Sequence, residues 1–134
     1  MPEDSGRPAE SATDVFIVDD DTDVRDSLGE LLRDEGYRVS SARNGAEALS
    51  ALSTRPAPGI ILLDLMMPVL NGWSVLEELR GSEATARIPV AVISAQRVAM
   101  PEGSDAVIEK PIELERLLDV VATYCGKGDG RSGE

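Results

Sequence analysis

The 134 residues amount to one domain, and a hydrophobic content of 42% supplies a core without disulfide or metal staples. With 25 acidic residues against 13 basic ones, the net charge of −12 opposes binding to nucleic-acid phosphates and to anionic membrane surfaces. The lack of histidine excludes Ser–His–Asp triads, Cys–His pairs and His-ligated zinc, while a single Cys125 excludes an internal disulfide and fits a reducing, cytoplasmic compartment.

Residues 1–13 are rich in Ser, Pro, Ala and Glu, and residues 127–134 are Gly-rich and charged, so both ends read as flexible tails around a domain at 14–126. The N-terminus is polar, unlike a signal peptide, and no apolar run approaches the roughly 20 residues of a membrane span. Val15–Asp19 is an apolar, β-branched run ending in acids and predicts a buried strand. Val24, Leu28, Leu31 and Leu32 then recur at helical spacing, and Gly36 closes that helix. Tyr37–Ala42 predicts a second strand and Ala46–Leu52 a second helix. Ile60–Asp64 is apolar without alternation, the pattern of a centre strand covered on both faces. Trp73–Arg80 predicts a third helix, Val90–Ser94 a fourth strand and Ala106–Glu109 a fifth. A last helix carries Leu114, Leu117, Leu118 and Val121 on one stripe. This alternation predicts an α/β fold, a doubly wound five-stranded parallel sheet in the flavodoxin-like order 2-1-3-4-5, with helices on both faces.

Ligands of such sheets bind outside the carboxyl ends of the strands. There the first strand ends in Asp19 and Asp20, the third in Asp64 and the fourth in Ser94, and Lys110 and Pro111 follow the fifth. In the order 2-1-3-4-5 the first and third strands are neighbours, which puts three carboxylates in one crevice. Their repulsion is relieved by a hard divalent cation with oxygen ligands, and Mg2+ beside a phosphoryl group fits. Lys110 and the Ser94 hydroxyl stand ready for other phosphoryl oxygens, and Asp64 is a candidate nucleophile able to form an acyl phosphate. Asp21 and Asp23 read instead as acids at a helix N-terminus.

The segments VFIVDDD at 15–21, ILLDLMMPVLNGWSVLEEL at 61–79, VAVIS at 90–94 and EKP at 109–111 resemble the response-regulator receiver domains of two-component signalling, over about residues 14–125. The resemblance implies that Asp64 is the phosphoacceptor, served by a sensor histidine kinase or a histidine phosphotransfer protein. It implies a Mg2+ (or Mn2+) site with Asp20 as a direct ligand, Asp19 acting chiefly through water, Asp64, and the backbone carbonyl of Met66. Ser94 becomes the switch hydroxyl and Lys110 the partner of the phosphoryl group. A cis Lys110–Pro111 bond is implied as well, and Gly72 is expected in a glycine-favouring conformation. On this reading the chain is a stand-alone, chemotaxis-regulator-like receiver. It is not an enzyme acting on an external substrate. Its output goes to a downstream protein target, with no nucleic acid or membrane as partner.

Two departures stand out. The family's aromatic switch position, three residues before the lysine, holds Val107. Residues 96–105 (QRVAMPEGSD) are too few, and too interrupted by Pro101 and Gly103, for a full crossover helix, so the fourth helix is expected to be short or absent. Met66, two residues after Asp64, offers no hydrogen bond to orient an attacking water, which predicts slow loss of the phosphoryl group. Three rival readings exist. Asp19, Asp21, Asp23 and Glu30 match positions of a calcium loop, but Val24 stands where that loop needs glycine. A phosphatase would need an acid where Met66 stands. A phosphorylation-independent protein-binding module on the same fold is the alternative that fold alone leaves open.

Overall fold

The computed structural model describes residues 14–67, 70–96 and 99–125, so the tails expected at 1–13 and 127–134 lie outside the described residues. Five strands, β1 (Asp14–Val18), β2 (Arg38–Ala42), β3 (Ile60–Asp64), β4 (Val90–Ser94) and β5 (Ala106–Glu109), form one sheet. Every pairing is parallel and the order is β2-β1-β3-β4-β5, as the alternation of elements predicts. The helices are α1 (Thr22–Asp34), α2 (Gly45–Leu52), α3 (Gly72–Arg80) and α4 (Leu114–Cys125).

Side chains alternate across each strand, so the sheet feeds two cores. Val15, Ile17, Ile60 and Leu62 pack toward Leu28, Leu32, Leu117 and Val121 of α1 and α4. Phe16, Val18, Ile61 and Leu63 pack toward Ala48, Leu52, Val75 and Leu79 of α2 and α3. The centre strand β3 is buried at every position, which is why its sequence does not alternate.

Local chemistry sets the ends. The helix α1 closes as a Schellman motif: the Gly36 N–H reaches the Arg33 carbonyl, the Tyr37 N–H reaches that of Leu32, and Gly36 has φ of 98°. The helix α2 starts at Gly45 and not Ala46, because Asn44 Oδ1 accepts from the Glu47 N–H at 2.8 Å. Likewise α3 starts at Gly72, capped by Asn71 Oδ1 on the Ser74 N–H at 3.0 Å. Among the described residues between β4 and β5, none is helical. The crossover instead turns at Gly103, whose φ is 93°, in line with the expected loss of the fourth helix. Arg80 ties it down: its guanidinium donates to the carbonyls of Gly103, Ala86 and Ile88 at 2.8–2.9 Å and pairs with Asp105 at 3.2 Å.

Gly72 departs from expectation. The positive-φ glycines among the described residues are Gly36 and Gly103, so Gly72 is not there for a left-handed backbone. It is there for close approach, since a Cβ would lie 2.6 Å from Leu65 Cα and 2.7 Å from the Asp64 carbonyl. This contact seats α3 against the end of β3. Trp73, on the first turn of α3, is 42% exposed.

Candidate functional site

At the carboxyl edge of the sheet, β1 and β3 lie side by side, with Val18 opposite Leu63. The residue after β1, Asp19, and the last residue of β3, Asp64, therefore end on the same crevice. One carboxylate oxygen each from Asp19, Asp20 and Asp64 lies within 4.8 Å of the others. Asp19 and Asp64 are buried, and Asp20 is exposed at the mouth.

Backbone groups orient the two buried acids. Asp19 Oδ1 accepts from the Asp21 N–H at 2.9 Å, and Asp64 Oδ1 from the Met66 N–H at 3.2 Å. Arg25 donates to the Asp19 carbonyl at 2.7 Å, holding the chain as it leaves β1. Nothing in the sequence marked Arg25 for this, because a basic residue early in α1 reads as a solvated side chain. Lys110, just past β5, places Nζ 3.9 Å from both Asp19 Oδ2 and Asp64 Oδ1. These are ion pairs too long for hydrogen bonds. The Lys110–Pro111 bond is cis. Ser94 ends β4 fully buried, and its hydroxyl donates to the Gln96 carbonyl at 2.9 Å and accepts from the Gln96 N–H at 3.1 Å. The hydroxyl is thus engaged by its own turn, not by Asp64.

The electrostatics are unbalanced. Three carboxylates against one ammonium leave a formal excess of two negative charges. Burial pushes Asp64 up to about 6, with the neighbouring Asp19 carboxylate adding to the rise and the Met66 N–H and Lys110 opposing it. Asp19 is raised too, chiefly by burial. Asp19 Oδ2 is buried with no hydrogen-bond partner, a costly state for a carboxylate oxygen. A hard divalent cation matches all three facts: the donor set is oxygen, the excess negative charge is two, and a buried oxygen without a hydrogen bond faces the crevice. The residues present fit such an ion.

The calcium-loop alternative fails on its context. Residues before Asp19 form β1 and not a helix, and Asp21 is the N-cap of α1, its Oδ1 accepting from the N–H groups of Asp23 and Val24. Met66 exposes its side chain to solvent. Val107 sits half-buried in β5 and packs against the α2/α3 core.

The description "response regulator receiver domain" fits residues 15–122, nearly the whole described chain. The chain belongs to that family. The receiver is 44% identical over 115 residues to the transcriptional regulatory protein PrrA of Mycobacterium leprae, covering 81% of this chain and 48% of PrrA. It thus spans about half the length of the curated relatives such as PrrA. Among solved structures it is similar to the Francisella response regulator 1452 receiver domain, with 28% identity, a TM-score of 0.76, and coverage of 84% of this chain and 96% of that one. It is also similar to the response regulator TrrA of Thermotoga maritima, solved in complex with Mg(2+)-BeF, with 26% identity, a TM-score of 0.74, and coverage of 84% and 98%. No described helix of the receiver is long and apolar enough to cross a membrane.

Proposed function

We propose that this receiver accepts a phosphoryl group on Asp64 from a sensor histidine kinase or a histidine phosphotransfer protein, in a Mg2+-dependent reaction, and signals through protein–protein contacts. The observation that carries the reading is the buried Asp64 carboxylate sharing its crevice with two further acids and one lysine. Asp19, Asp20, Asp64 and the Met66 carbonyl are the groups that would hold Mg2+. Bound there, the ion offsets the excess negative charge and neutralises phosphoryl oxygens. TrrA, solved with Mg(2+)-BeF, supports the same assignment for its relative here.

In the transfer an Asp64 oxygen forms a new P–O bond as the donor's P–N bond breaks, and the product is an acyl phosphate. Lys110, already between Asp19 and Asp64, pairs with the incoming oxygens. Ser94 leaves its turn with Gln96 to donate its hydroxyl to the phosphoryl group, and that exchange of partners moves the 94–96 turn. The protein itself turns over no external substrate. A phosphohistidine-bearing phosphotransfer domain carrying labelled phosphate tests the reading. In Mg2+ the label should move to this chain, resist acid and be released by hydroxylamine, as an acyl phosphate is. Label that stays on the donor, or that survives hydroxylamine on this chain, contradicts it.

A further inference from the structure

The two buried acids of the crevice are each aimed by a backbone N–H, Asp19 by that of Asp21 and Asp64 by that of Met66. Asp20 has no such guide. It is exposed, and its carboxylate makes no hydrogen bond or ion pair among the described residues. Yet one of its oxygens lies within 4.8 Å of oxygens from both other acids. A carboxylate with no partner of its own is placed by the backbone that carries it. The position of Asp20 is therefore decided by the peptide groups on either side.

One residue of α1 holds both sides. Arg25 Nη1 donates to the Asp19 carbonyl at 2.7 Å, and the Arg25 backbone N–H donates to the Asp21 carbonyl at 3.0 Å. Asp20 lies between the two. The backbone bond is the ordinary first bond of an α-helix, which any residue but proline supplies. The side-chain bond needs a long donor, and as a charge-assisted bond it is of the strong kind. Arg25 Nη2 donates to Thr22 Oγ1 at 3.2 Å, which orients the guanidinium. In a stretch crowded with carboxylates, this half-buried guanidinium makes no ion pair among the described residues. Its hydrogen bonds go to a carbonyl and a hydroxyl instead.

We propose that Arg25 is a positioning residue for the metal site. By holding the Asp19 carbonyl it keeps the 19–21 backbone in the form that presents the Asp20 carboxylate to a divalent cation. The inference rests on the Mg2+ reading above, and it carries a sign that separates positioning from charge. A cationic side chain beside an acidic crevice opposes a second cation, so loss of its charge alone tightens Mg2+ binding. Loss of its hydrogen bond weakens Mg2+ binding, because the Asp20 carboxylate must then be ordered as the metal binds.

The test is a Mg2+ titration of the 15N-labelled full chain with no phosphodonor present, so its outcome does not depend on whether Asp64 accepts a phosphoryl group. In wild type, saturable amide shifts should appear at residues 19–21 and 64–66. Arg25→Met keeps an unbranched stem and removes the donors, and Mg2+ affinity should fall about tenfold or more. Arg25→Lys keeps the charge and a donor and should recover most of that loss. Arg33→Met makes the same charge change in the last turn of α1 and should bind Mg2+ as wild type does. Native resonances away from residues 18–26 establish that Arg25→Met is folded. If they are lost, Thr22→Val carries the test, because it takes the acceptor from Nη2 and should weaken Mg2+ binding in the same direction. Mg2+ affinity in folded Arg25→Met equal to or tighter than wild type overturns the proposal alone. So does an equal loss in Arg33→Met. Wild type with no Mg2+ shifts at the crevice contradicts the metal reading itself, and this proposal with it.

Discussion

In the proposed reaction Asp64 sits under opposing demands: burial protects a nucleophile, and burial disfavours the ionised form that attacks. In metal-free protein this tension is a stability term with a definite sign. The folded-state pKa, raised to about 6, lies above the ordinary 3.8. Below pH 3.8 both folded and unfolded chains hold the proton and there is no penalty. As pH rises toward 6, the folded chain keeps a proton that the unfolded chain has lost, so stability falls through that window and the penalty is full above it. Asp64→Asn removes the term. Chelator-treated Asp64→Asn protein should be more stable than wild type at pH 7.5 by about 3 kcal/mol, with the difference vanishing near pH 3.5. Equal denaturation midpoints at both pH values would contradict this. Asp64 was legible in the sequence because a carboxylate closing a fully apolar strand has no bland reason to be there. The burial of Asp19 and the engagement of Ser94 with Gln96 were not legible, since both depend on how turns fold back. Beside Asp64, the exposed Met66 side chain supplies no amide or carboxylate to align water. Met66→Asn should shorten the lifetime of the phosphorylated chain severalfold, measured by the decay of phosphoprotein after donor removal. An unchanged lifetime would show that position 66 does not govern the attack.

The crossover between β4 and β5 is where this chain has rebuilt an element. Pro101 and Gly103 signal in the sequence that no full helix fits, and the fold agrees. What replaces the helix was invisible there, because Arg80 lies at the far end of α3, more than 20 residues upstream. Its guanidinium holds Gly103, Ala86, Ile88 and Asp105 together. Arg80→Ala should destabilise the fold by about 2 kcal/mol, and amide hydrogen exchange should accelerate most at residues 103–105. A variant with wild-type exchange there would mean the crossover is held by other contacts. The same logic separates Gly72 from an ordinary turn glycine. Its hydrogen in place of a Cβ lets α3 approach the backbone of Leu65 and Asp64. Gly72→Ala should therefore cost stability by about 2 kcal/mol through overpacking, with near-site chemical shifts displaced. The family resemblance marked a special glycine correctly but assigned it the wrong reason, since φ and crowding leave the same residue in the sequence.

Across the whole molecule, the strand order follows from the alternation of elements and from the unalternating apolar run of β3, and the two cores follow from the two-residue period of the strands. That order alone brings Asp19 and Asp64 together from positions 45 residues apart, and a fifth strand returns Lys110 to the same crevice. The fold's contribution to function is this convergence; no single element contains the site. The excess of negative charge at the crevice is likewise a property of the assembled sheet. The most direct test of the account is the intact mass of the protein after incubation with a small-molecule phosphodonor, with and without Mg2+, for wild type and Asp64→Asn. The account predicts one phosphoryl adduct on wild type in Mg2+, none in chelator and none on Asp64→Asn. An adduct that persists on Asp64→Asn would contradict it by placing the phosphoryl group on another residue, and none on folded wild type in Mg2+ would contradict it and leave a phosphorylation-independent binding module in its place.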